Sequence, residues 1–207
     1  MIAVIDSGVS NIGSVLEALT RVHARAHAVS EGAAVSHAKA IVLPGVGSFG
    51  DGMAGLQRRG LVGPLREAAR TGTPVLGICL GMQLLVGESE EHGRHQGLGL
   101  LPGRVRRLDS DDPRCCVPNM GWCDLSVKRS GTLFCDSSCC ESFYFVHSYA
   151  VETSSEYVSA TIQFGGRDVT AAIEADNISG VQFHPEKSQD NGLDLLARWV
   201  TRQGLAA

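Results

Sequence analysis

Apolar residues follow two rhythms along this chain, and the change between them divides it. In the first half, short unbroken apolar runs alternate with stretches of helical spacing. Ile2 to Ile5 is such a run. From Ile12 to Val22, the residues Val15, Leu16, Leu19 and Val22 recur at the intervals of one helix face. Ala40 to Leu43 is a second run, closed by Pro44 and Gly45. Gly63-Pro64 then opens a helix-like segment that stops near Gly72. Val75 to Ile78 is a third run and leads at once to the helix-like Met82 to Leu85. This βαβα order predicts a parallel sheet with helices on both faces.

The second half changes rhythm. After a polar loop from Gly87 to Gly99 come β-like runs at Arg104 to Leu108, Ser142 to Val151, Tyr157 to Phe164, Val169 to Ile173 and Ile178 to Phe183. Helical spacing returns only at Leu193 to Gln203, which Gly204 ends. Consecutive strands without helices predict antiparallel pairing. The expected fold is therefore α/β: a mostly parallel open sheet with helices on both faces, plus antiparallel strands in the second half. No repeat, low-complexity stretch or clear linker interrupts it. A single domain over residues 1–207 is expected.

Composition narrows the classes. Hydrophobic residues make up 43% and charged residues 19%, as in ordinary globular proteins. A net charge of -4 without a Lys/Arg block argues against nucleic acid as the main partner. The start, MIAVIDSGVSN, lacks a basic region and meets Asp6 at once, so it reads as a strand and not a signal peptide. No run is long enough to span a membrane. A cytoplasmic location is expected. The seven cysteines (Cys79, Cys115, Cys116, Cys123, Cys135, Cys139, Cys140) are odd in number and form no CxxC pair. They are expected to be reduced, with neither a disulfide framework nor a metal site, and no cofactor is expected.

One cysteine stands apart. In PVLGICLGMQLL, Cys79 lies where a strand-like run meets a helix-like one, with Gly77 and Gly81 on either side. A side chain on such a corner projects above the sheet, and glycines relieve the crowding. The helix N-terminus beneath it favours thiolate. With 25 glycines in the chain, chance gives a Gly-x-Cys-x-Gly about once in ten such sequences, so the pattern needs support elsewhere. GVQFHPEKSQ supplies it. If that stretch is extended, His184 and Glu186 point to one side, a base with an acid to orient it. The PGVG run, Pro44 to Gly47, can aim a backbone N–H of Val46 or Gly47 at a developing oxyanion, joined by that of Leu80. A phosphate loop fits less well, since neither GxGxxG nor a following Lys-Ser/Thr is present.

Together PGVGSFGDGM, GICLGMQLL and GVQFHPEKSQ resemble the class I glutamine amidotransferases. VPNMGW (Val117 to Trp122) and YFVHSY (Tyr144 to Tyr149) are similar to the glutaminase subunits of imidazole glycerol phosphate synthases. The resemblance implies that Cys79 attacks the glutamine amide, His184 transfers protons and Glu186 holds His184. It implies a glutamine pocket lined by Gly47, Gln83, His147 and Ser148. It also implies a face with Asn11, Met120, Trp122 and Lys187 for a (β/α)₈-barrel cyclase, the other half of a heterodimer that takes the ammonia. On the bland reading Met120 and Trp122 are core and Lys187 is a solvated charge. Three positions depart from the family pattern: Ser7, where Tyr is usual; Asn119, where His is common; and Cys123, where Asn is common. A paralogue feeding ammonia to another synthase, such as one forming sugar amidines, stays open. A papain-like protease and a non-catalytic redox or scaffold protein are the competing classes; neither requires His-Pro-Glu after a late strand.

Overall fold

The computed structural model describes residues 1–110, 112, 115–135 and 141–205. Elements follow in the order β1 (Ile2–Ile5), α1 (Ile12–Arg21), β2 (Ala26–Val29), α2 (Gly32–Val35), β3 (Ala40–Gly45), α3 (Phe49–Arg58), α4 (Val62–Arg70), β4 (Val75–Cys79) and α5 (Leu80–Leu85). Then come β5 (Glu88–Ser89), β6 (His95–Gln96), β7 (Arg104–Arg107), β8 (Asn119–Asp124), β9 (Ser126–Val127), β10 (Ser142–His147), β11 (Tyr149–Glu152), β12 (Val158–Phe164), β13 (Arg167–Ala175), β14 (Ile178–Val181) and α6 (Gln189–Arg202).

The main sheet runs β2-β1-β3-β4-β14-β13-β12-β9. Its first five strands are parallel and the remainder pair antiparallel. The expected fold class is therefore the observed one. Alternation along the strands feeds two cores. Ile2 and Val4 of β1 and Val42 of β3 face α1 and α6, where Val15, Leu19, Leu196 and Trp199 are buried. Ala3, Ile5, Ile41 and Leu43 face α3, α4 and α5 through Phe49, Leu56, Leu65 and Leu84. Central strands apolar on both sides are what a parallel sheet covered by helices requires.

Several details differ from the sequence reading. The run Ser142 to Val151 is two strands in different sheets, broken at Ser148: β10 pairs β8, and β11 pairs β7. The polar loop contains the short pair β5 and β6. Helix α3 starts inside the glycine-rich turn, and β2 and β8 carry too little apolar periodicity to stand out. Cys79, Cys115, Cys116, Cys123 and Cys135 are free thiols; Cys139 and Cys140 lie outside the described residues. Among the described residues no cluster of His, Cys, Asp and Glu is placed to hold a metal, and no helix is long and apolar enough to cross a membrane.

Candidate active site

The site lies at the carboxyl ends of β3 and β4, where open α/β sheets bind ligands. Gly45 of β3 is in register with Cys79 of β4, so the PGVG turn and the cysteine corner are neighbours. Cys79 takes φ 55° and ψ -110° between strand and helix, a strained conformation for a residue with a side chain. Its flanking glycines allow the corner to exist. A Cβ on Gly81 would lie 1.7 Å from the carbonyl oxygen of Leu43, and one on Gly77 2.7 Å from the Met82 backbone. The thiol therefore stands on a turn pressed against β3.

His184 and Glu186 meet as expected, by a different route. The backbone is extended only at His184; Pro185–Lys187 form a 3-10 turn. That turn, and not a continued strand, brings Glu186 Oε1 to 2.7 Å from His184 Nδ1, with both side chains 3% exposed. Ser188 fixes the arrangement. Its hydroxyl donates to the His184 carbonyl at 2.7 Å and accepts the Tyr144 N–H at 3.0 Å. The His184 N–H donates to the Tyr144 carbonyl at 2.9 Å. Phe183 stacks on Phe143 with ring centroids 4.1 Å apart.

Burial pushes the His184 pKa down, but the adjacent Cys79 and Glu186 outweigh it and raise it to about 9. Nδ1 faces the carboxylate; Nε2 is buried and makes no hydrogen bond of ordinary geometry. It is the nitrogen left for proton exchange with a reacting group. His147 is the opposite case. Burial dominates and lowers its pKa to about 4, so the ring is neutral at pH 7. Nδ1 lies 2.9 Å from the Tyr149 carbonyl and therefore carries the proton. Nε2 accepts from the Asn119 amide at 3.1 Å. Asn119 also contacts the Cys123 sulfur at 3.8 Å, so two of the unusual positions touch each other.

A pocket of about 340 Å³ is lined by Val46, Gly47, Cys79, Leu80, Gln83, Glu91, Pro118, Val146, His147, Ser148 and His184, within the usual range for a small-molecule site. All the oxyanion and pocket residues expected from the sequence are thus together. The Val46 N–H donates to the Val9 carbonyl at 2.9 Å, so it is engaged outside the pocket. Gly47 has φ 93°. Leu80 opens α5, and a first-turn N–H has no partner within its own helix. Two residues escaped the sequence reading. Glu91, in the polar loop, enters the pocket and accepts the Phe49 N–H at 2.7 Å; nothing in its neighbourhood marks it. Gln182 is fully buried and donates to Cys79 Sγ at 3.7 Å; its place two residues before His184 was the available signal.

The remaining expected residues lie outside the pocket. Met120 is 63% exposed and Trp122 48%, which excludes the core reading for both. Trp122 packs edge-on to Tyr144 across the β8–β10 ribbon, centroids 6.2 Å apart. Asn11 is exposed and donates to Ser14 Oγ, and Lys187 is exposed.

Known proteins resemble this chain over nearly its whole length. The family profile "Glutamine amidotransferase class-I" matches residues 3–202. The chain is 45% identical to the imidazole glycerol phosphate synthase subunit HisH of Moorella thermoacetica, covering 94% of this chain and 91% of the relative. It is 44% identical to the same-named subunit of Symbiobacterium thermophilum, over 96% and 92%. Among solved structures, the PurLQS structure from Thermotoga maritima matches with a TM-score of 0.76 at 19% identity, over 97% of each chain. A crystal structure of a glutamine amidotransferase matches at 0.74 and 20%, over 99% of this chain and 100% of the other. These two likenesses show the shared fold. The chain belongs to the class I glutamine amidotransferases and, within them, to the family of the HisH subunit of imidazole glycerol phosphate synthase.

Proposed function

We propose that this chain is the glutaminase subunit of an imidazole glycerol phosphate synthase in histidine biosynthesis, with Cys79, His184 and Glu186 as its triad. The observation that carries the reading is the buried Glu186–His184 pair beside a cysteine held on a strained strand-to-helix corner. The Cys79 thiolate attacks the side-chain amide carbon of glutamine, and the carbonyl oxygen becomes an oxyanion. The His184 imidazolium gives its proton to the leaving nitrogen, the C–N bond breaks, and ammonia departs from a glutamyl thioester. His184, now neutral, takes a proton from water as it attacks the thioester. Glutamate leaves, and thiolate and imidazolium are restored. Gly47, Gln83, His147 and Ser148 shape the glutamine pocket. Glu91, a carboxylate in its lining, complements the substrate's α-ammonium.

The oxyanion cradle is the part that a partner completes. With the Val46 N–H held by Val9, the companion left for the Leu80 N–H is that of Gly47, and in this reading partner binding turns it into the pocket. One missing donor costs about 10²–10³ in rate. The partner in this reading is a (β/α)₈-barrel cyclase. It docks on the face holding Asn11, Met120, Trp122 and Lys187, receives the ammonia, and releases imidazole glycerol phosphate with an aminoimidazole carboxamide nucleotide. In this reading the chain is cytoplasmic and acts as one domain. Cys79→Ser tests the assignment in the assembled synthase. Glutamine-dependent synthesis is expected to disappear while synthesis from ammonium salts persists. Retained glutaminase activity in that variant overturns the assignment.

A further inference from the structure

The hydrogen bonds behind Cys79 run in one direction. The chain begins at the backbone carbonyl of Tyr149, which can only accept. It takes Nε2 of Gln83 at 2.9 Å, which fixes which end of that amide faces it. The second Gln83 N–H then donates to Gln182 Oε1 at 3.0 Å. With its oxygen so engaged, Gln182 must turn its NH₂ group onward, and Nε2 lies 3.7 Å from Cys79 Sγ. His147 reinforces the origin by donating to the same Tyr149 carbonyl at 2.9 Å. Gln182 is fully buried and Gln83 5% exposed, so water does not compete to reorient either amide. Strand order puts the last amide in place: Val181, the last residue of β14, is in register with Ile78 of β4, and the residues that follow them, Gln182 and Cys79, form the contact.

We propose that Gln182 stabilises the Cys79 thiolate, its N–H held on the sulfur by Gln83 and the Tyr149 carbonyl. The inference deepens the glutaminase reading, on which its catalytic meaning rests. A donor on the sulfur favours the charged form over the thiol. It does so from the protein side, leaving the pocket side of the sulfur for substrate and for His184. It also gives Gln83 two connected duties. Both its N–H groups are engaged in the interior, so the atom it can turn to a ligand is its carbonyl oxygen.

The test reads the sulfur directly. In the isolated full chain, the rate of iodoacetamide alkylation at the Cys79 peptide is followed by mass spectrometry as a function of pH. Only thiolate reacts. Gln182→Met keeps the side-chain length and removes the donor. Its alkylation inflection is expected to move up by about one pH unit. Gln83→Met leaves Gln182 in place but free to rotate, with a smaller shift in the same direction expected. Thermal unfolding checks that each variant folds; if Gln182→Met does not, Gln83→Met carries the test. An unmoved or lowered inflection in a folded variant overturns the proposal. Because no glutamine is involved, the result stands apart from the glutaminase reading. A wild-type complex that releases no glutamate would defeat that reading and leave the shift intact.

Discussion

His184 sits where two influences on its charge oppose each other. Burial alone would strip its proton, while Cys79 and Glu186 restore it and set the pKa at about 9. At neutral pH the ring is therefore imidazolium, the form that protonates a leaving amine. That form is lost as pH rises through about 9, which predicts an alkaline limb of kcat/KM there. Glu186→Gln removes a negative partner, so the imidazolium is less favoured and the limb moves to lower pH. Orientation contributes less than proton transfer. The loss of kcat in Glu186→Gln should be smaller than the about 10²–10⁴ expected for His184→Ala. Profiles of glutamate release with the partner saturating check both points; an unmoved limb or equal losses would contradict the role given to Glu186. That Cys79, His184 and Glu186 come together was legible in the sequence, because each lies in a short motif whose spacing places it at a strand end. Gln182 was hidden despite lying two residues before His184, since its contact with the sulfur depends on the pairing of β14 with β4.

Among the elements, what was legible followed apolar periodicity and what was hidden followed close approach. β1, β3 and β4 are apolar on both faces and stood out. Helix α3 (FGDGMAGLQR) did not, because its glycines read as turn signals. In the structure they are contact points: a Cβ on Gly55 would lie 2.1 Å from the Ser7 carbonyl oxygen. A helix that must pack this tightly accepts the propensity cost of glycine, about 1 kcal/mol each. β8 was hidden for a different reason. It alternates half-buried and exposed residues in a two-stranded ribbon, so its outward apolar residues break the expected pattern. The 3-10 turn after His184 depends on Ser188, which ties that turn to β10 from a buried position. Ser188→Ala would orphan the Tyr144 N–H and a bond to the His184 carbonyl. A loss of about 1–3 kcal/mol of stability, read by denaturant unfolding, and a fall in kcat are expected. An unchanged midpoint and unchanged kcat would show that the turn holds His184 without it.

Across the whole molecule, Cys79 is buried at the carboxyl end of β4, while the exposed Trp122 lies on the β8–β10 ribbon, whose His147 lines the same pocket as Cys79. Asn119, within that ribbon, hydrogen-bonds His147 of the pocket, so the exposed face of the ribbon and the pocket share a strand. Its neighbours Met120 and Trp122 point to solvent, and a large exposed aromatic is the kind of anchor that dominates interfaces. Trp122→Ala is expected to weaken assembly and stimulation while leaving the fold intact. A partner favours the competent cradle only by binding it better than the resting one. With Val46 held by Val9 and the Gly47 N–H turned in only on partner binding, the isolated chain should be nearly silent toward glutamine. The decisive measurement is steady-state glutamate release by the chain alone and with saturating barrel cyclase and its nucleotide ligand. Stimulation of at least about 10²-fold is expected. An isolated chain that already turns over at the rate of the complex would contradict it and mark a free-standing glutaminase.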